Sequence, residues 1–261
     1  MKKMRIDILM VEKGLIESLA QAQRLVMAGQ VRVNGQVVQK PSVSFQADAE
    51  IEIDPGPDYV SRGGEKLQAA LEKFGIEVGG LVCADVGAST GGFTDCLIKH
   101  GVCKVYSIDV GKGILHWKLR QNNKVVVMEG VNARYLERLP EGVDLVTIDA
   151  SFISSKVLLP VVKGWFREQR SQVILLIKPQ FEAGRAVSSR GKGVIRDPEV
   201  HQQVLHEVLE FAQENKYQIA GLVRSPLIGP KGNVEFLAWL QFPWQSTINV
   251  QKMIEPLFMV E

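Results

Sequence analysis

The sequence predicts an α/β protein, a mostly parallel sheet with helices on both faces, preceded by a small α+β unit. Three observations predict it. From residue 65 onward, apolar strand-like runs alternate with helical segments, the pattern of a parallel sheet covered on both sides. Earlier in the chain, Asn34-Gly35 sits between alternating β-branched residues, a strong hairpin signal. Between the two regions, Asp54-Pro55-Gly56-Pro57 puts two prolines and a glycine into four residues, which marks a linker. The 261 residues are enough for one large domain or two smaller ones, each with its own core. The expected boundaries are 1–54 for the first unit, 55–64 for the linker and 65–261 for the second unit.

The elements follow in order. A short helix is expected near 7–13. A second is expected over 18–28, where Leu19, Ala22, Leu25 and Val26 recur at helical spacing before Gly29 stops the run. The hairpin 31–38 and a strand at 51–53 complete the first unit. In the second unit a helix near 65–74 leads to a strand at 81–86, a helix at 92–99 and a strand at 104–109. Further strands are expected at 124–129, 143–148 and 172–178. A long helix over 198–214 precedes strands near 217–224 and 234–241.

Composition excludes several classes. With 46% hydrophobic and 23% charged residues the chain is neither disordered nor low-complexity. Cys83, Cys96 and Cys103 match neither a disulfide framework nor a zinc spacing, so no metal is expected. The basic start is interrupted by Asp7 and Glu12, which spoils a signal peptide, and no apolar run approaches the ~20 residues of a membrane span. The expectation is a cytoplasmic protein with no membrane partner. The net charge of +2 conceals strong segregation. Residues 1–45 carry seven Lys/Arg against three acids, and 112–138 six against two. Residues 163–196 carry eight against two, whereas 46–58 and 197–218 are acidic. Each run alone reads as a solvated face. Together they suggest a surface for a polyanion.

Strand 81–86 feeds directly into Gly87-Ala88-Ser89-Thr90-Gly91-Gly92-Phe93, a turn that lets backbone approach a cofactor. The spacing is neither that of a dinucleotide fingerprint nor that of a phosphate-cradling loop. Asp85, just before the turn, disfavours a diphosphate there. A cationic sulfonium cofactor, S-adenosylmethionine, tolerates that acid. Asp109 ends the next strand 22 residues after Gly87, well placed to hydrogen-bond a cofactor ribose. The alternative is a βαβ turn with a structural role only.

Two more strands end in reactive side chains. One closes on Asp149, before Ala150-Ser151-Phe152, and one on Lys178, before Pro179-Gln180-Phe181. A lysine closing an apolar strand is costly unless paired or discharged, so Lys178 reads as a snorkelling strand-end residue or as a group that helps deprotonate a hydroxyl. Lys66, just after the linker, and Glu235, heading an apolar strand, are candidate neighbours. Taken singly, each reads as surface charge.

The strings SRGGEKL (61–67), DVGASTGGFTD (85–95), IDASFIS (148–154), IKPQFE (177–182) and GPKGNVEF (229–236) together make the chain resemble the TlyA family. These proteins, also called hemolysin A, belong with the FtsJ-like ribose methyltransferases. The resemblance covers nearly the whole chain. It implies a Rossmann-like S-adenosylmethionine-dependent methyltransferase domain with a seven-stranded, mostly parallel sheet. It also implies 2′-O-methylation of cytidine in ribosomal RNA. The Lys-Asp-Lys-Glu tetrad of that family falls on Lys66, Asp149, Lys178 and Glu235. Lys178 is then the residue assisting deprotonation, Asp149 lies by the methyl group, and Lys66 and Glu235 orient the ribose. The cofactor residues carry over as Asp85, Gly87, Ser89, Thr90, Gly91, Gly92, Phe93, Asp109, Asn132 and Asp149.

The first unit resembles the αL RNA-binding motif of a small-subunit ribosomal protein and of many pseudouridine synthases. The matching positions are Arg5-x-Asp7, Gly14-Leu15, Ser18, Gly29-x-Val31-x-Val33-Asn34-Gly35 and Lys40-Pro41. The arginine that commonly follows the serine is Leu19 here, and Arg24 stands one turn along. Arg5, Lys13, Arg24, Arg32 and Lys40, with Arg62 beyond the linker, are the expected RNA contacts. Ribosomal RNA or its subunits are the expected partner, with no obligate protein partner.

Three other readings compete with this one. An amine methyltransferase acting on a base usually carries Asn/Asp-Pro-Pro-aromatic where this chain has Asp149-Ala150-Ser151-Phe152. A non-catalytic RNA-binding or assembly factor would not need the tetrad. A membrane-lysing toxin, as the name hemolysin suggests, finds no support in a signal peptide, a spanning segment or a long amphipathic helix.

Overall fold

The computed structural model describes residues 3–167, 171–184, 187, 191–243, 246 and 248–259. The chain forms two compact units, Met1–Asp58 and Tyr59–Glu261. The division falls inside the segment read as a linker. Residues 59–64 belong to the second unit: Val60 N–H donates to Asp95 Oδ2 at 2.9 Å, the Tyr59 hydroxyl donates to Gln68 at 2.7 Å, and a helix begins at Gly63.

The first unit runs β1 (Lys3–Arg5), α1 (Ile6–Glu12), α2 (Leu19–Met27), β2 (Val31–Val33), β3 (Gln36–Val38), β4 (Ser44–Gln46) and β5 (Ile51–Ile53). Ser18 caps α2 by accepting the Gln21 N–H, as its place before the apolar run implies. At the hairpin tip Asn34 and Gly35 both adopt positive φ, 49° and 78°, which suits the twist of the flanking strands. β2 lies between β3 and β5 in an antiparallel sheet, and β1 pairs with β4. Ile6, Met10, Ala22, Val26, Val31 and Val33 are buried as its core.

The second unit runs α3 (Gly63–Phe74), β6 (Val82–Val86), α4 (Gly92–Lys99), β7 (Lys104–Asp109), α5 (Trp117–Arg120), β8 (Val125–Glu129), β9 (Leu145–Ile148), α6 (Ser155–Val162), β10 (Ser171–Ile177), α7 (Pro179–Glu182), α8 (Pro198–Glu214), β11 (Gln218–Arg224), β12 (Phe236–Phe242) and α9 (Val250–Ile254). Seven strands form one sheet in the order β11-β12-β10-β9-β6-β7-β8, and β12 alone runs against its neighbours. β6 and β9 are buried along their whole length, so their apolar residues pack on both faces. On one face α3 and α4 bury Leu67, Leu71 and Leu97. On the other, α6 and α8 bury Leu158, Leu159, Leu205 and Leu209.

Strand order reverses between β6 and β9. One connection leads outward to β7 and β8, the other to β9 and β10. The carboxyl ends of β6 and β9 therefore flank the crevice where ligands bind in open α/β sheets. Gly87 follows one of them and Asp149 the other.

Candidate active site

The turn after β6 is shaped by what stands beside it. Gly87 has φ +82°, and a Cβ there would lie 2.6 Å from the Asp149 carbonyl oxygen, so only glycine lets the two strand ends sit side by side. The Asp149 N–H donates to Val86 O at 2.9 Å, and Gly87 N–H to Ile108 O at 2.9 Å. Ser89, at φ 51°, donates its backbone N–H to Asp109 Oδ2 at 2.8 Å, and Gly111 N–H donates to Oδ1 at 2.7 Å. Asp109 thus ties the glycine turn to the loop after β7. Gly91 and Gly92 are tight for other reasons. A Cβ on Gly91 would strike the side chains of Leu115 and Leu119, and one on Gly92 would strike Ser61 and the Gly63–Gly64 backbone.

Two neighbouring cavities open at this end of the sheet and share Gly87, Ser89 and Asp149. One, of about 260 Å³, has Asp109, Asn132 and Asp149 as polar lining and Val86, Ile108, Ile114 and Val131 as apolar wall. The other, of about 220 Å³, is lined by Ser61, Arg62, Lys66, Thr90, Phe93 and Pro230.

The four strand-edge and helix-edge residues form two ion pairs. Lys178 Nζ lies 2.5 Å from Asp149 Oδ1 and donates to Ser151 Oγ at 3.1 Å. Lys66 Nζ lies 2.5 Å from Glu235 Oε2, with both side chains buried. Gly229 faces the other oxygen of Glu235, where a Cβ would come within 2.5 Å of Oε1. Lys66 and Asp149 line one cavity, so a buried cation and the acid of the second pair face the same space.

The sequence pattern of FtsJ-like methyltransferases matches residues 59–242, and that of the S4 domain matches residues 4–51. The chain belongs to the FtsJ-like methyltransferase family. YqxC of Bacillus subtilis is 43% identical to it over 252 residues, covering 94% of this chain and 88% of that protein. The 16S/23S rRNA (cytidine-2′-O)-methyltransferase TlyA of Mycobacterium tuberculosis is 41% identical over 244 residues, 92% of this chain and 90% of that one. A solved structure from Streptococcus thermophilus, named as a hemolysin, matches with TM-score 0.72 and 39% identity, covering 98% of this chain and 96% of that chain.

Within this FtsJ-like methyltransferase one expected cofactor residue is corrected. Asp85 has no exposed surface and lines neither cavity. Its Oδ2 accepts the Thr94 hydroxyl at 2.6 Å and its Oδ1 the Thr147 hydroxyl at 3.0 Å. It is a strut that fastens β6 to α4 and β9 beneath the turn. Burial pushes its carboxyl up to about 6, against the pull of the two hydroxyls.

The expected RNA contacts divide. Arg5 donates to both oxygens of Asp7, at 3.1 and 2.7 Å, and Lys13 Nζ donates to Ala49 O at 2.8 Å. Both residues are exposed and also help hold the first unit together. Arg24, Arg32, Lys40 and Arg62 are exposed too, without such a side-chain bond among the described residues. The basic block 163–196 lies partly outside the described residues.

Three side chains not singled out from the sequence shape this end of the sheet. Phe152 is 91% exposed, has φ +64°, and lines the larger cavity. Glu129 accepts the N–H groups of Gly113, Ile114 and Leu115, at 2.7 to 3.0 Å, and pairs with Arg120. The Arg120 guanidinium and those N–H groups hold its carboxyl down at about 2. Glu182 joins two loops of the site. An aromatic three residues after a strand-end acid was the available signal for Phe152. The two glutamates act on segments distant in sequence, and no local pattern reveals them.

Proposed function

We propose that the protein transfers a methyl group from S-adenosylmethionine to the 2′-hydroxyl of a cytidine in ribosomal RNA, with Lys178 assisting removal of the hydroxyl proton. The observation that carries this reading is the pairing of Lys178 with Asp149 and of Lys66 with Glu235 at the carboxyl-end crevice of the sheet. Its substrate class follows the TlyA relative, named as a 16S/23S rRNA (cytidine-2′-O)-methyltransferase, of which this chain spans 90%.

The residues fit the cofactor. Gly87 leaves the backbone open to close approach, Asp149 supplies an acid suited to a cationic group, Asp109 stands where a ribose would lie, and Val86, Ile108, Ile114 and Val131 supply an apolar wall. When bound, S-adenosylmethionine supplies an electrophilic methyl group. The chain's part is then alignment and proton handling, and alignment alone is worth ~7–11 kcal/mol in such displacements. Asp149 and Ser151 fix Lys178 Nζ. In its neutral form this amine takes the proton that the 2′-hydroxyl gives up. Lys66, held by Glu235, meets the ribose from the smaller cavity. Phe152 offers an exposed ring on which a base splayed out of its stack rests, the usual way single-stranded RNA is held.

The first unit, by its S4 pattern, brings ribosomal RNA to this site through Arg24, Arg32 and Lys40. Ribosomal subunits in the cytoplasm are the substrate. Tritiated methyl transfer to ribosomal subunits tests the reading. Lys178→Ala is expected to lose about 100-fold or more in kcat, the size of general-base assistance. A fully active variant removes Lys178 from the mechanism. Digestion of the product to nucleosides must yield a ribose-methylated cytidine.

A further inference from the structure

The last ladder pair between β9 and β10 is Ile148 with Leu175. Beyond it, β10 continues to Ile177 only against β12. Asp149 is held by backbone to β6, through its N–H to Val86. Lys178 therefore stands on one side of a split in the sheet and Asp149 on the other. Main-chain hydrogen bonds between β9 and β10 do not reach across it at this level, so the register of acid and lysine depends on side chains.

Two of those side-chain links are the Lys178–Asp149 pair itself and the bond from Lys178 to Ser151. Both are contacts of Lys178 itself, so neither ties the two loops together independently of the residue that takes the proton. The rings of Phe152 and Phe181 meet at 5.0 Å but carry no directional bond. Among the described residues, the further directional link is Glu182. Its Oε2 accepts the Ser154 hydroxyl at 2.6 Å and its Oε1 accepts the Ser155 N–H at 2.7 Å. Four residues after Lys178, it grips both sides of the point where the segment from Asp149 becomes α6.

Helix capping alone does not account for this contact. Ser154 already caps α6 by accepting the Lys156 N–H at 3.2 Å. Glu182 is a second acceptor, reaching in from the neighbouring strand's loop. It lines neither of the two cavities. We infer that Glu182 is a positioning residue for methyl transfer, clamping the Asp149–Ser154 turn to the Lys178 loop so that acid and lysine stay in register while the proton moves. This rests on the reading of Asp149 and Lys178 given above.

The full-length protein carrying Glu182→Ala, Glu182→Gln, Ser154→Ala, the double change Glu182→Ala/Ser154→Ala, Asp197→Ala or Lys178→Ala tests it. The readouts are kcat and KM on ribosomal subunits, calorimetric binding of S-adenosylmethionine, and Tm. Glu182→Ala is expected to lower kcat by about 30-fold with KM for RNA unchanged within about threefold, since misplacement near 1 Å costs of that order or more. Glu182→Gln keeps one acceptor oxygen and is expected to recover most of kcat. The double change should cost no more than Glu182→Ala alone, because the two residues form one link. Asp197 caps α8 through the Glu199 N–H, so its loss should lower Tm and leave kcat unchanged.

Full kcat in Glu182→Ala beside an inactive Lys178→Ala overturns the clamp alone. Fully additive losses in the double change also overturn it. Should Glu182→Ala fail to fold, Ser154→Ala and Glu182→Gln decide: unchanged kcat in both overturns it. A fully active Lys178→Ala overturns the reading of the site, and the clamp with it.

Discussion

Asp85 shows how one buried carboxyl carries a cost that pH reveals. Its folded value of about 6 stands above the ordinary 3.8 of an aspartate. Below the unfolded value both states hold the proton and there is no penalty. As pH rises from about 4 to 6 the unfolded chain releases its proton while the folded chain keeps it, so this residue's contribution to stability falls, by on the order of 3 kcal/mol in all. Wild type minus Asp85→Asn, compared by Tm across that window, should isolate the slope. A difference that stays flat from pH 4 to 6 contradicts it. Phe152 belongs to the same scale. A phenylalanine in left-handed backbone and 91% exposed is strained and solvated at once, which a binding surface justifies better than packing does. Phe152→Ala is expected to raise KM for RNA about tenfold, a stacking loss of ~1–3 kcal/mol, with little change in S-adenosylmethionine affinity. Steady-state kinetics on ribosomal subunits separates the two.

At the scale of elements, the loop between β7 and α5 is organised by Glu129 at the end of β8. Its carboxylate gathers three successive N–H groups and an arginine, and so fixes Ile114 against the cofactor cavity. With the carboxyl held at about 2, below the ordinary 4.5, this support is complete above pH 4.5 and is lost only as pH falls toward 2. Glu129→Gln is expected to weaken S-adenosylmethionine binding about tenfold by calorimetry, since charge-assisted bonds are roughly twice as strong as neutral ones. The strands of the large unit were legible because β6, β7, β9 and β10 are apolar runs closed by a glycine, an acid or a lysine. Several other elements were not. β1 and β4 are three-residue strands with mixed polarity. α7 begins at Pro179, which reads as a break although proline suits a first helical turn. α6 contains Pro160. At the candidate site, the strand-end position is what brings Asp109, Asp149 and Lys178 forward as candidates. The same position misled at Asp85, because alternation along a strand does not say whether an acid faces a ligand or a neighbouring hydroxyl.

At the scale of the whole molecule, segregation of charge outweighs its sum. A net +2 is unremarkable for an RNA enzyme's solubility, yet the first unit alone exposes Arg24, Arg32 and Lys40. Replacing all three with alanine should weaken RNA binding and flatten the plot of log affinity against log salt by about two units of slope, since each phosphate contact contributes roughly 0.7 to 0.9. Filter binding at graded salt reads the slope. At saturating RNA, kcat should be unchanged. An unaltered slope removes these residues from the RNA surface.

β12 enters the sheet between β10 and β11, although both precede it in the chain. Glu235, at its start, completes a pair with Lys66 from 169 residues earlier. During synthesis, then, the nascent chain holds the glycine turn, Asp149 and Lys178 well before it holds Glu235. Lys66 waits without its acid until the strand that separates β10 from β11 is inserted. Active enzyme should consequently emerge only after most of the chain has left the ribosome. Fragments ending before Glu235 are expected to transfer no methyl group to RNA rather than to transfer it with loose specificity.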